Sequence, residues 1–147
     1  MPVKTINQFE KEYFFLSNFF ESWVIHDGLV YQSNEAAFQA AKCAFTEDRY
    51  QFTKLNPSQA KKLGRRVKLR PDWEDVKVDV MRQLLLTKFL LHADLGNLLL
   101  ETEDAKLVEG NTWNDRFWGV DANTGIGENM LGELLMEVRD YLKMIRR

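Results

Sequence analysis

The chain has 147 residues, 45% of them hydrophobic and 29% charged, with a formal net charge of −2. This is the composition of an ordinary globular protein, at a length suited to one domain, 1–147, that buries its core without staples. It excludes a disordered chain and any whole-molecule field holding the protein to nucleic acid or membrane, and its one cysteine, Cys43, leaves no intrachain disulfide.

In chain order, MPVKTINQFEKE has no apolar signal core, so a cytoplasmic protein is expected. FFLSNFF (14–20) then packs four of the ten phenylalanines around Ser17-Asn18. Its periodicity fits neither helix nor strand, so its rings are either core or a surface for something flat. WVIHDGLVY carries two short β-prone runs around Asp27-Gly28, a hairpin signal. Ser33 is placed to cap a helix through about Phe45, and Thr46 to begin another around EDRYQF. In NPSQAKKLG, Asn56 caps, Pro57 fits the first turn and Gly64 suits the C-terminal stop. Asp72 opens a long helix to about His92, with Trp73, Val76, Val80 and Leu84 as an apolar stripe widened by Met81, Leu85 and Phe89. DLGNLLLET reads as a short helix and KLVE (106–109) as a short strand. Asn129 is expected to cap the last helix, whose apolar face is Leu131, Leu134, Leu135, Val138 and Leu142. The greasy stretch LLLTKFLLHADLGNLLL is broken by Lys88, His92 and Asp94 and is unsuited to spanning a bilayer. The expected class is α-rich α+β: a single compact domain of about six helices with a small β-hairpin near the N-terminus.

The residue census removes several chemistries. One cysteine and two histidines, His26 and His92, give no zinc cluster, and the histidines read as structural or surface groups. GIGENMLG has Met130 where a dinucleotide fingerprint needs its third glycine. No metal or cofactor is therefore expected, and an enzyme here works with carboxylates, lysine and hydroxyls. Three stretches suit such work. Glu35, Gln39 and Lys42 share a helix face, with Glu35 and Lys42 about 10.5 Å apart along the axis. That span admits a substrate fragment rather than an ion pair; the plain alternative is a dipole-favoured first-turn acid and a solvated lysine. KKLGRRVKLR (61–70) has six basic residues in ten and no acid. Its Arg65 and Arg66 offer forked donors for phosphate beside Trp73, or simply a solvated face. In WNDRFWGVDANTGIGENMLG (113–132), Asp115 lies between aromatic rings that lower the local dielectric. The helix start after it has N–H groups that could bind an anion. Cys43 reads as a small buried residue rather than a nucleophile.

With these blocks in place, the sequence resembles the NADAR family, also called the YbiA-like N-glycosidase family. LSNFF comes first, then Ser33, Glu35, Phe38, Gln39, Ala40 and Lys42 of an S-x-E-x-x-F-Q-A-x-K block. LGR followed by LRPDW, then WNDRFWG, then TGIGENMLGELLMEVR complete the family order over nearly the whole chain. The resemblance implies a small α-rich domain that hydrolyses N-glycosidic bonds. The implied substrates are a phosphoribosylamino-pyrimidine intermediate of riboflavin synthesis or ADP-ribose attached to guanine, the latter within nucleic acid. It places Glu35, Trp73 and Asp115 on active-site positions. Lys42 falls on the lysine proposed to form a Schiff base with an opened ribose. Asn18 and Phe19 are expected to meet the base or ribose, and Arg65 and Arg66 the phosphate. Trp118, Gly119 and Asn129 are expected to complete the substrate site. Glu35, Lys42, Trp73, Asp115 and Trp118 are thus expected around one concave site. Some members have a second glycine soon after the W-G pair, where this chain has Val120-Asp121, which bears on substrate identity. No membrane and no obligate protein partner are implied. Two other readings stay open: a non-catalytic ADP-ribose- or NAD-binding module, and a structural helical adaptor.

Overall fold

Residues 4–146 are described by a computed structural model. The strands are β1 (Thr5–Ile6), β2 (Val24–His26), β3 (Leu29–Tyr31), β4 (Lys106–Leu107), β5 (Gly110–Asn111) and β6 (Val120–Asp121). The helices are α1 (Asn34–Ala41), α2 (Thr46–Arg49), α3 (Pro57–Gly64), α4 (Trp73–Leu91), α5 (Ala93–Glu101) and α6 (Met130–Ile145), with 3-10 turns at Lys11–Leu16 and Tyr50–Lys54. This is an α-rich α+β fold whose strands are few and short. It divides into two compact units, Asn18–His92 and Met1–Ser17 with Ala93–Arg147. Among the described residues no helix is long and apolar enough to cross a membrane.

In the unit Asn18–His92, β2 and β3 form the expected hairpin, in the register Val24↔Tyr31, Ile25↔Val30 and His26↔Leu29. Asp27 and Gly28 take φ of 49° and 80°, the left-handed pair that a two-residue turn needs to follow strand twist. Val24 and Tyr31 face the core, while Ile25 and Val30 are exposed. Ser33 caps α1 by accepting from Ala36 N–H at 3.1 Å. All eight residues of α1 are buried, and its alanines let it pack closely against α3 and α4. The helix stops at Ala41, short of the expected Phe45. The following backbone is taken by another segment: Arg70 N–H donates to Lys42 O, and Ala44 N–H to Lys68 O.

Asn56 and Gln59 form a reciprocal capping box at the start of α3, as the sequence implies. Gly64 does not act as a left-handed stop; it is the last helical residue, and the C-cap, Arg65, keeps right-handed geometry. Asp72 occupies the N-cap position of α4 without a capping bond, because its carboxylate is held by Arg70 at 2.6 Å. The α4 stripe is buried at Trp73, Val80, Met81, Leu84, Leu85 and Phe89, and Lys88 is buried with them.

In the other unit, β1 pairs in parallel with β4 and β5 with β6, two pairings the sequence did not announce. Helix α6 buries Leu131, Leu134, Leu135, Val138 and Leu142, each contributing about 1.5–3 kcal/mol to the core. The expected cap at Asn129 is corrected. Its φ of 52° is left-handed and its side chain makes no cap bond. Its amide instead accepts from Glu109 N–H at 2.9 Å and donates to Leu107 O at 2.9 Å. A tertiary clamp has replaced a local cap.

Candidate active site

Seven of the residues singled out in the sequence, Asn18, Phe19, Glu35, Lys42, Arg65, Arg66 and Trp73, belong to the unit Asn18–His92. Asp115, Trp118, Gly119 and Asn129 belong to the other. In the first set α1 is the organising element. Its first turn carries Glu35, whose backbone N–H donates to Asn18 O at 3.1 Å, tying the helix start to the LSNFF segment. The Asn18 side chain is buried; its Nδ2 approaches Met81 Sδ at 3.4 Å, and its Oδ1 has no partner.

One turn on, Gln39 Nε2 donates to Glu35 Oε1 at 2.8 Å. Lys42 closes α1 as its C-cap, with its stem lying over α3. A Cβ built on Gly64 would stand 2.7 Å from Gln39 Cδ and 3.0 Å from Lys42 Cε, with Gln39 Oε1 closer still. The glycine therefore serves close approach between α1 and α3. Burial pushes the Lys42 amine below its ordinary value of 10.5, against the upward pull of Glu35 and with further lowering from Arg65. Arg65 and Arg66 are themselves exposed at the end of α3, and Lys61 Nζ sits 5.7 Å from the centre of the Phe19 ring. Trp73 is buried, its ring 5.0 Å from that of Phe38.

In the second set, Asp115 Oδ1 accepts from the N–H groups of Phe117 and Trp118, at 3.2 and 2.9 Å. Its own backbone is clamped by the Asn111 side chain. The rings of Phe117 and Trp118 meet edge to face at 4.9 Å. Gly119 is obligatory on space: a Cβ there would lie 2.7 Å from Asn111 Nδ2 and nearer to Glu109 oxygens. The anion site expected at the start of α6 is corrected. The N–H groups of Asn129, Met130 and Leu131 already donate to Gly119, Phe117 and Trp118 carbonyls.

Cys43 is a buried thiol whose pKa is raised by burial, as a packing residue would be. His92 Nε2 lies 2.7 Å from Trp23 O and its ring meets the Trp23 edge, a structural role. Among the described residues no group of three or more His, Cys, Asp or Glu gathers to hold a metal. Sequence reading placed Gln39 on the Glu35 face but gave it no task. The signal was present in the four-residue spacing and in a glycine inside a helical segment.

Glu35 and Gln39 are buried on one helix face, and Lys42, half-buried at the C-cap, has its basicity lowered by burial, a combination that acid–base or covalent chemistry can use. Residues 5–143 match the NADAR domain, and the chain belongs to the NADAR family. The chain is 46% identical over 127 residues to "N-glycosidase YbiA" of Escherichia coli (strain K12), covering 84% of this chain and 78% of that protein. It is 38% identical over 134 residues to "Riboflavin biosynthesis protein VVA0006" of Vibrio vulnificus (strain YJ016), covering 88% of this chain and 35% of that one. Its fold is similar to the NMR structure of the E. coli protein YbiA, with a TM-score of 0.86 and 39% identity over 99% of this chain and 89% of that chain.

Proposed function

We propose that the protein breaks the C1′–N bond of a phosphoribosyl or ADP-ribosyl adduct, either a phosphoribosylamino-pyrimidine or ADP-ribose joined to guanine. The chain is a hydrolase acting on N-glycosyl bonds, the class its relatives are named for; the identity of the adduct is the proposed part. What supports the mechanism is the place of Lys42: half-buried at the C-cap of α1, seven residues on from Glu35, with its stem against Gly64 of α3 and its basicity lowered by burial. A lysine must be neutral to attack carbon, and burial is the ordinary means of making it so.

The sugar ring opens at C1′–O4′ as the glycosidic nitrogen pushes its electron pair onto C1′, and the proton of that N–H passes to O4′, leaving a neutral imine and a 4′-hydroxyl. Neutral Lys42 adds to C1′. Glu35 passes a proton to the nitrogen of the base, the C1′–N bond breaks, and an imine between Lys42 and C1′ remains. Water adds to that protonated imine, returning the aldehyde sugar, the free Lys42 amine and one proton, which restores Glu35. Arg65 and Arg66 hold the phosphate, Trp73 and Phe19 bound the flat parts, and Asn18 offers its amide to base or ribose. The single buried thiol suits a reducing compartment such as the cytoplasm.

A panel of phosphoribosylamino-pyrimidine, ADP-ribosylated guanine DNA, NAD and ADP-ribose, scored for released base, tests the substrate class. Binding of ADP-ribose or NAD without release of base from any of them would favour a reader module. Borohydride added during turnover should trap a sugar on Lys42, and Lys42→Arg should abolish both trapping and turnover. If Lys42→Arg stays active and nothing is trapped, the lysine route fails and two-carboxylate chemistry does the work instead.

A further inference from the structure

Glu35 and Gln39 are 8% and 7% exposed, and Gln39 Nε2 donates to Glu35 Oε1 at 2.8 Å. The other end of that amide, Gln39 Oε1, is shielded from solvent and has no hydrogen-bond partner. Leaving a buried acceptor unpaired is expensive, so the bond to Glu35 is what holds the amide in this orientation. An amide has a donor end and an acceptor end, exchanged by a half-turn about its last bond. With Nε2 towards Glu35 it holds one carboxyl oxygen whether or not the other is protonated; Oε1 towards Glu35 would instead take up the proton itself. Gly64 leaves the space in which the unpaired end sits, and the Lys42 stem lies beside it.

We propose that Gln39 is a positioning residue for the reaction, its Nε2–H holding one Glu35 carboxyl oxygen so that the other carries the proton to the leaving nitrogen. The inference rests on the reading of Glu35 as the proton donor. Gln39 never touches the reacting atoms; it acts through Glu35.

The test is a carboxyl-carbon NMR titration of Glu35 in the free protein, alongside the pH profile of kcat on whichever panel substrate is turned over. In Gln39→Met the donor is gone, so the Glu35 midpoint should rise by about one pH unit. The corresponding limb of kcat should move with it, with kcat down about tenfold and KM nearly unchanged. Gln39→Glu resembles glutamine only when protonated, so its active range should move to lower pH; it carries the test if the methionine variant does not fold. A Glu35 titration and kcat profile that coincide with wild type would overturn the proposal. Lower kcat with neither curve displaced would make Gln39 a packing residue and overturn it equally. Glu35→Gln separates the two levels: wild-type turnover in that variant sinks Glu35 as the acid, whereas an inactive Glu35→Gln with undisplaced Gln39 curves sinks only the present inference.

Discussion

Replacing Gly64 by alanine puts two opposing terms on one methyl group. The backbone at Gly64 is right-handed helix, so alanine is tolerated there and gains about 1 kcal/mol of helix propensity. The new methyl meets Gln39 Oε1 and Cδ, the flexible end of a side chain, and crowds Lys42 Cε at 3.0 Å. The amide must swing away, losing its 2.8 Å bond to Glu35. A hydrogen bond to a charged group is worth about 1.5–3 kcal/mol. The net loss of stability should therefore be small, on the order of 1 kcal/mol. Activity has no offsetting gain, so if the bond matters in the transition state kcat should fall about 10- to 100-fold. Urea denaturation reads the first quantity and initial rates on the panel substrate read the second. A variant with wild-type kcat would refute the reasoning, because it would mean that the Gln39–Glu35 contact is dispensable. Outright unfolding would refute it from the other side, by showing that the backbone rather than a side chain had to move.

Lys88 is fully buried, and burial pushes its amine down to about 7. Between that value and 10.5 the unfolded chain holds a proton that the folded protein has released, so stability should rise with pH, by at most about 1.4 kcal/mol per pH unit from this group. Urea midpoints at about pH 7 and about pH 9 should show the rise, and Lys88→Met should flatten it; a flat wild-type curve counts against the burial. Asn56→Ala removes the bond from Gln59 N–H to Asn56 Oδ1, 2.9 Å long, and should cost about 1 kcal/mol, or roughly 2–4 °C in Tm, with turnover per folded molecule unchanged. Calorimetry showing no change in Tm would mean that the cap contributes nothing.

What could be read in the sequence was what short-range chemistry decides. Asp27-Gly28 announced a turn because left-handed φ is a property of those two residues. Asn56 and Gln59 announced a helix start because both halves of the box lie within one turn. Helical spacing placed Gln39 one turn on from Glu35, where the two side chains meet, whereas Lys42, expected on the same helix, is its C-cap. What escaped depends on partners far along the chain. Asn129 looked like a cap until Leu107 and Glu109 claimed its amide. Gly64 looked like a helix stop, whereas its lack of a side chain is used by Gln39 and Lys42 on another helix. Lys88 read as a charge interrupting a greasy run, yet it lies inside, its Nζ 5.2 Å and 5.5 Å from the Phe89 and Phe20 ring centres. The parallel pairs β1·β4 and β5·β6 are two residues long, too short to leave a periodicity.

The pairing of β1 with β4 sets an order of events during synthesis. Thr5–Ile6 leaves the ribosome early, but its partner Lys106–Leu107 is made only after the whole of Asn18–His92. At about 5–20 residues per second, the amino-terminal segment waits for several seconds with its strand unpaired. Meanwhile the hairpin and helices α1 to α4 are already complete in sequence and free to pack. The inserted unit is thus placed to fold first, and the unit built from both ends of the chain to close last. A truncation between residues 92 and 106 would leave Asn18–His92 complete in sequence while β1 still lacked the strand it pairs with.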